Sequence, residues 1–195
     1  MQNNHTLDKK KAIREWWADA PMTYAEDHGH IEYRLADGTM ERVEIGTRRF
    51  YELADSVFHR WNEPLHDETG KFGRIFEYER FRGKKVLEIG CGMGCMASHW
   101  ASHGADITAI DLNPVAIEKT KRRFELFGLK GNICEVDAET LPFADATFDF
   151  VYSWGVIHHT PGIQQAAREI FRVLKPGGRL ALMLYNRISV LYKYF

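Results

Sequence analysis

Val86-Leu87-Glu88-Ile89-Gly90-Cys91-Gly92-Met93-Gly94 decides the fold: an apolar run that breaks into glycine at every second position. Lys85–Ile89 reads as a buried strand. The alternating glycines after it let the backbone turn tightly and let a ligand approach without meeting a Cβ. A helix to about His103 follows, then a second strand over 106–111. Asn113-Pro114 opens the next helix, with Asn as N-cap and Pro at the first position, and that helix ends near Gly128. Residues 133–136 and 148–153 read as the third and fourth strands. A helix over 163–174 is stopped by Lys175-Pro176-Gly177-Gly178, and 179–185 forms a fifth strand. This alternation predicts an α/β fold, a doubly wound, mostly parallel sheet with helices on both faces. Its ligands sit beyond the carboxyl ends of the strands.

Upstream, residues 1–83 differ in character: aromatics such as Trp16, Trp17, Tyr24, Phe58 and Phe76 are scattered among charges. Residues 12–19 and 48–61 have the spacing of short amphipathic helices. Residues 31–35 and 40–45 alternate around Ala36-Asp37-Gly38, a hairpin signal. The chain thus divides into an aromatic-rich N-terminal extension or lid (1–83) and a cofactor-binding domain (84–195).

Composition narrows the function classes. The 195 residues are 45% hydrophobic and 27% charged with a net charge of −1, so intrinsic disorder is excluded and no basic field exists to attract nucleic acid. Cys91, Cys95 and Cys134 are an odd number without a C-x-x-C pair, so neither a disulfide framework nor a zinc cluster is expected, and no metal is predicted. The polar start MQNNHTLDKKK carries no secretory signal, and no window reaches the about 18 to 20 apolar residues of a membrane span. A cytoplasmic location is the expectation.

The glycine loop is flanked by carboxylates. Glu88, two residues before Gly90, would repel a pyrophosphate and suits a ligand bearing an ammonium group. The third glycine falls at 94, giving G-x-G-x-G with Cys at 95, which departs from the dinucleotide pattern G-x-G-x-x-G. Asp111 ends the second strand, where its two oxygens match a vicinal diol; capping the Asn113 helix is the alternative. Asp137-Ala138-Glu139 follows the third strand, where a carboxylate accepts from an exocyclic amine.

VLEIGCGMG, Asp111, DAETLPF and LKPGG together resemble a class I S-adenosylmethionine-dependent methyltransferase, most closely the small-molecule and quinone-type subgroup. The resemblance covers roughly residues 84–186 and implies S-adenosylmethionine as cofactor. It implies that Glu88 and the loop Gly90, Cys91, Gly92 and Gly94 hold the methionine part, Asp111 the ribose, and Asp137 with Ala138 the adenine. It also implies that Leu112 packs on the adenine face, and Ser153 at the end of the fourth strand completes the set.

The loop after that strand, Ser153-Trp154-Gly155-Val156-Ile157-His158-His159-Thr160-Pro161, faces sulfonium and acceptor in the resembled fold. His158 is the candidate general base, because imidazole titrates near working pH. The alternative is that one histidine packs under the cofactor and the other caps the next helix. An activated methyl group asks the enzyme only to align the acceptor, at about 3 to 3.5 Å, and to exclude water. Trp16, Trp17 and Tyr24 are candidate lid residues over that pocket, or else pack the added helices against the sheet.

Three functions compete: a methyltransferase moving a methyl group to a small-molecule acceptor, a non-catalytic S-adenosylmethionine-binding or regulatory protein, and a dinucleotide-dependent dehydrogenase, disfavoured by Glu88 and G-x-G-x-G. The resembled fold has seven strands in the order 3-2-1-4-5 with two more beyond. The sequence stops at Phe195, soon after the fifth strand, so strands six and seven are expected to be missing. An open fifth-strand edge would then invite a homo-oligomer, or be covered by the 31–45 hairpin.

Overall fold

The computed structural model describes residues 2–19 and 29–186. The elements, in chain order, are α1 (Gln2–Asp19), β1 (His30–Arg34), β2 (Met40–Glu44), α2 (Arg48–Trp61), β3 (Lys85–Ile89), α3 (Cys95–Ser102), β4 (Asp106–Asp111), α4 (Pro114–Phe127), β5 (Asn132–Glu135), β6 (Phe148–Trp154), α5 (Ile163–Val173) and β7 (Leu174–Met183). Five strands form one sheet in the order β5-β4-β3-β6-β7, with every neighbouring pair parallel. The chain winds outward from β3 through β4 to β5, then returns to β6 on the other side. The reversal of direction lies between β3 and β6, which is where such sheets open a crevice.

Local chemistry accounts for the elements that frame this crevice. The Asn113 side chain accepts from the Val115 N–H at 2.9 Å and Pro114 occupies the first turn of α4, while Gly128 ends the helix in the left-handed conformation. Thr47 caps α2 through the Phe50 N–H at 3.3 Å. On one face of the sheet, Val86, Ile107 and Phe150 pack with Trp100 of α3 and with Ile117 and Phe124 of α4. Leu87, Ile110 and Val151 point to the other face, against Ile170 and Val173 of α5.

N-terminal aromatics thicken the first face. Phe76 lies 5.3 Å from Tyr152 and 5.5 Å from Trp100, and Phe72 meets Trp154 edge-on at 5.4 Å. Packing against the sheet is therefore what these rings do. Trp16 is more than half exposed on α1; Tyr24 and the side chain of Trp17, its proposed companions in a lid, lie outside the described residues.

Arg123 of α4 joins the N-terminal layer to the domain. Only 1% exposed, it makes a bidentate pair with Asp55 of α2 at 2.7 and 2.8 Å, and its guanidinium lies over the Tyr51 ring.

The expectation of a sheet short of two strands is corrected: the described residues contain seven strands, five in the parallel sheet and two, β1 and β2, in a separate antiparallel hairpin. Nor does the hairpin cover β7. Its buried residues Ile31 and Val43 pack with Phe50, Tyr51 and Leu53 of α2, and Leu126 and Phe127 of α4 close that cluster. The physical reason is that its apolar side matches α2, the next element in the chain. The end of the chain also differs from its reading. Lys175-Pro176-Gly177-Gly178 lies inside β7 rather than before it, and the pairing with β6 shifts register between Phe148 and Phe150 to accommodate it. Residues 187–195 lie outside the described residues.

Candidate active site

The carboxyl ends of β3, β4, β5 and β6 bring together most of the residues singled out by sequence. The glycine loop follows β3, and its close packing explains two of the glycines. A Cβ on Gly90, whose φ is +81°, would fall 2.3 Å from a methyl carbon of Val156; one on Gly94 would fall 2.7 Å from Thr120 Cγ2. The loops after β3 and β6 are thus in direct contact. Gly92 has no heavy atom within 4 Å of where its Cβ would stand, so its face is open to a ligand.

Asp111 fastens this loop. Its Oδ2 accepts from the Gly92 N–H at 3.0 Å and its Oδ1 from the Asn113 N–H at 2.9 Å. Capping of α4 is done by Asn113, not by Asp111. Burial raises the Asp111 carboxyl above its ordinary range, while the N–H groups of Asn113 and Gly92 oppose that shift. Each oxygen retains a lone pair for a diol. Leu112 beside it is half-buried.

Glu88 is placed differently from a ligand-facing carboxylate. It is 3% exposed, on the same sheet face as its register neighbour Tyr152 on β6, and its Oε2 has no hydrogen-bond partner. Burial pushes its pKa up to about 8, with Tyr152 working against that and the Asp111 charge adding to it. The side chain therefore lies beneath the loop as an orphaned acceptor. Cys91 is buried too, its Sγ 3.6 Å from Thr120 Oγ1, so only its backbone can serve a ligand. Ser153 is 1% exposed and donates to the Ile89 carbonyl at 3.0 Å, which locks the ends of β3 and β6 together.

Beyond β5, Asp137 Oδ1 accepts from the Glu139 N–H at 2.9 Å, and Oδ2 meets the Lys10 ammonium of α1 at 2.6 Å. Ala138 packs on the core beside Leu141. Sequence reasoning missed both Lys10 and the part played by Glu139. Glu139 accepts from the Gly162 N–H at 2.9 Å and from the Thr160 hydroxyl, and pairs with Lys10 at 2.7 Å. It therefore ties the β5 loop to the β6 loop. Its own signal was present, a second acid in Asp137-Ala138-Glu139, but no local pattern reveals a lysine 127 positions away.

His158 lies in a short 3-10 turn, Ile157–His159, with both ring nitrogens buried and without a hydrogen-bond partner. Its ring is 4.1 Å from that of His159 and 4.4 Å from that of Tyr185. Burial, with the neighbouring His159, lowers its pKa and so favours the neutral imidazole.

An open glycine, a carboxylate at the end of β4, a second in the loop after β5 and an orphaned carboxyl oxygen on β3 fit an adenosine ligand that carries an ammonium group and no phosphate. Residues 87–182 match the methyltransferase domain family. The chain is 38% identical over 121 residues to phthiotriol/phenolphthiotriol dimycocerosates methyltransferase 1 of Mycobacterium ulcerans, covering 61% of this chain and 44% of that protein. It is 33% identical over 100 residues to a malonyl-[acyl-carrier protein] O-methyltransferase of Enterobacter lignolyticus, covering 51% of this chain and 38% of the relative. Among solved structures, a SAM-dependent methyltransferase from Methanosarcina mazei is similar with a TM-score of 0.52 and 32% identity, over 57% of this chain and 58% of that one. Over residues 87–182, just under half of its length, the chain is similar to S-adenosylmethionine-dependent methyltransferases, and S-adenosylmethionine is the cofactor that this likeness implies. It spans less than half the length of the curated relatives named. None of its described helices is long and apolar enough to cross a membrane.

Proposed function

We propose that this chain transfers a methyl group from S-adenosylmethionine to a small-molecule acceptor, with residues 84–186 holding the cofactor and the N-terminal segment covering it. The observation that carries the reading is the joint placement of Gly92, Asp111 and Asp137 at consecutive strand ends, with the loop that bears His158 closing the other side. The cofactor supplies a sulfonium-bound methyl group that is already electrophilic. The protein's tasks are then positional. Asp111 takes the ribose hydroxyls while its bonds to Gly92 and Asn113 keep it fixed. Asp137 accepts from the adenine amine, Ala138 offers its backbone N–H, and Leu112 lines the ring. The open backbone at Gly92 admits the methionine part. Glu88 lies buried at the end of β3 as a carboxyl group that burial keeps protonated in the free chain, and an ammonium brought close to it would favour its ionisation. His158, neutral and unpartnered, receives the acceptor's proton as the methyl arrives.

Covering by α1 finds support in Lys10, whose ammonium rests on Asp137 and Glu139. That contact also competes with the adenine amine for Asp137; the second reading is a cofactor-binding protein without turnover. Along β7, Leu180 and Leu182 are exposed, which supports pairing with a second chain there.

The test uses S-adenosylmethionine with a labelled methyl group and a panel of phenolic, carboxylic and enolic acceptors. Label in an acceptor, with an equal amount of S-adenosylhomocysteine, supports transfer. His158→Gln should then lower kcat by about 10² or more while cofactor affinity holds. A cofactor that binds but stays intact across the panel favours the second reading.

A further inference from the structure

Cys95 and His99 stand four residues apart on α3 and therefore share one face of that helix. His59, near the end of α2, reaches the same point from the N-terminal layer. Its Nε2 lies 2.9 Å from His99 Nε2 and 3.7 Å from Cys95 Sγ, and the three donor atoms all fall within 4.8 Å of one another. Tetrahedral zinc with bonds of about 2.0–2.1 Å to nitrogen and about 2.3 Å to sulfur has N···N edges of about 3.3 Å and N···S edges of about 3.6 Å. The His59–His99 and His59–Cys95 separations need shifts of only a few tenths of an ångström to match these edges, and the Cys95–His99 separation is within 4.8 Å.

We propose that Cys95, His59 and His99 form a zinc site that clamps α2 onto α3, directly behind the glycine loop.

Three further features of the surroundings fit a metal. Phe72 N–H donates to Nδ1 of His66, so His66 Nε2 carries the proton and donates to the His59 carbonyl at 3.0 Å, steadying the residue that supplies the ligand. The Asp55 carboxylate, anchored by Arg123, lines the same cavity as His59. It supplies negative charge and an oxygen for the fourth position, which a water can also fill. A cavity of about 480 Å³ lined by Asp55, His59, His66 and Lys71 gives the ion a way in. On binding, the thiol releases its proton to solvent and the metal replaces the hydrogen bond between the imidazoles. The set combines a thiolate with two imidazoles, a donor choice suited to Zn²⁺ rather than to Mg²⁺ or Ca²⁺. No C-x-x-C pair announces this site, and the absence of one was the ground for expecting no metal. The sequence signal is the spacing Cys-x-x-x-His on a helix.

The full chain, stripped by chelator dialysis, is titrated with Co²⁺ as a spectroscopic probe and then with Zn²⁺. The expected result is one ion per chain, a near-ultraviolet thiolate-to-cobalt charge-transfer band, intense visible bands of four-coordinate cobalt, and displacement by zinc. Cys95→Ser should abolish the charge-transfer band, and Cys134→Ser should leave it unchanged. His99→Gln should weaken affinity by about tenfold or more; it is the deciding variant should Cys95→Ser fail to fold by circular dichroism. No charge-transfer band in the wild type, a band that survives in folded Cys95→Ser, or an affinity indifferent to His99→Gln overturns the proposal.

Discussion

The Lys10 ammonium on α1 and the Asp137 carboxylate after β5 form an ion pair of 2.6 Å between the first helix and the cofactor crevice, and Glu139 completes the pair at 2.7 Å. Burial works against this ammonium, but its hydrogen bonds to both carboxylates more than offset that and hold its pKa above the ordinary lysine value. If Asp137 is the adenine acceptor, Lys10 competes for it. Removing the charge in Lys10→Met should tighten S-adenosylhomocysteine binding about two- to fivefold, the equivalent of a partly exposed pair worth about 0.5–1 kcal/mol. Equilibrium dialysis at fixed ionic strength reads this directly. Weaker binding in the variant would show instead that α1 helps to hold the cofactor.

Glu88 makes stability depend on pH in an unusual direction. Its folded pKa of about 8 lies above the ordinary 4.5, so the folded chain holds a proton that the unfolded chain releases. The stabilisation is therefore complete below about pH 4.5, declines as pH rises, and is lost above pH 8, with a slope approaching about 1.4 kcal/mol per pH unit. Glu139, Asp149 and Glu169, whose pKa values are lowered, act with the opposite sign at more acid pH. Urea denaturation between pH 5 and 8 should show stability falling with pH in the wild type and a flatter profile in Glu88→Gln. Parallel profiles would remove Glu88 from the account.

The Asp55–Arg123 pair is the polar joint between α2 and α4. Because Arg123 is 1% exposed, deleting its partner leaves a buried charge uncompensated. Asp55→Ala should cost about 3 kcal/mol or more of unfolding free energy. Replacing both residues, Asp55→Leu with Arg123→Met, should recover most of it. A single variant within about 0.5 kcal/mol of wild type by urea titration would show that solvent reaches the guanidinium.

How far the sequence could be read depended on the range of the forces involved. β3, β4 and α2 have the bounds their hydrophobic periods indicate, Lys85–Ile89, Asp106–Asp111 and Arg48–Trp61. The Asn113-Pro114 start of α4 was equally plain, because capping is settled within three residues. The strand tally was not. The hairpin is legible from its alternation, but its two strands lie outside the parallel sheet and do not enter a strand count made for that sheet. Lys175-Pro176-Gly177-Gly178 reads as a turn by composition, whereas pairing with β6 draws it into β7. In the site, Asp111 announced itself by following a strand, yet the burial of Glu88 against Tyr152 and the inward bond of Ser153 to Ile89 arise from cross-strand register. Contacts such as Lys10–Asp137 and His59–His99 join distant segments and leave no periodic trace.

The central claim is that the crevice at the ends of β3, β4 and β5 binds an adenosyl sulfonium ligand through Asp111. Isothermal titration calorimetry of the full chain with S-adenosylmethionine, S-adenosylhomocysteine and NAD, repeated with Asp111→Ala, tests it most directly. The account predicts saturable one-to-one binding of both adenosyl compounds, no heat with NAD, and at least about a tenfold loss of affinity in the variant, since both carboxylate oxygens are removed. Binding of NAD with no response to either adenosyl compound, or an affinity unchanged by Asp111→Ala, would contradict it.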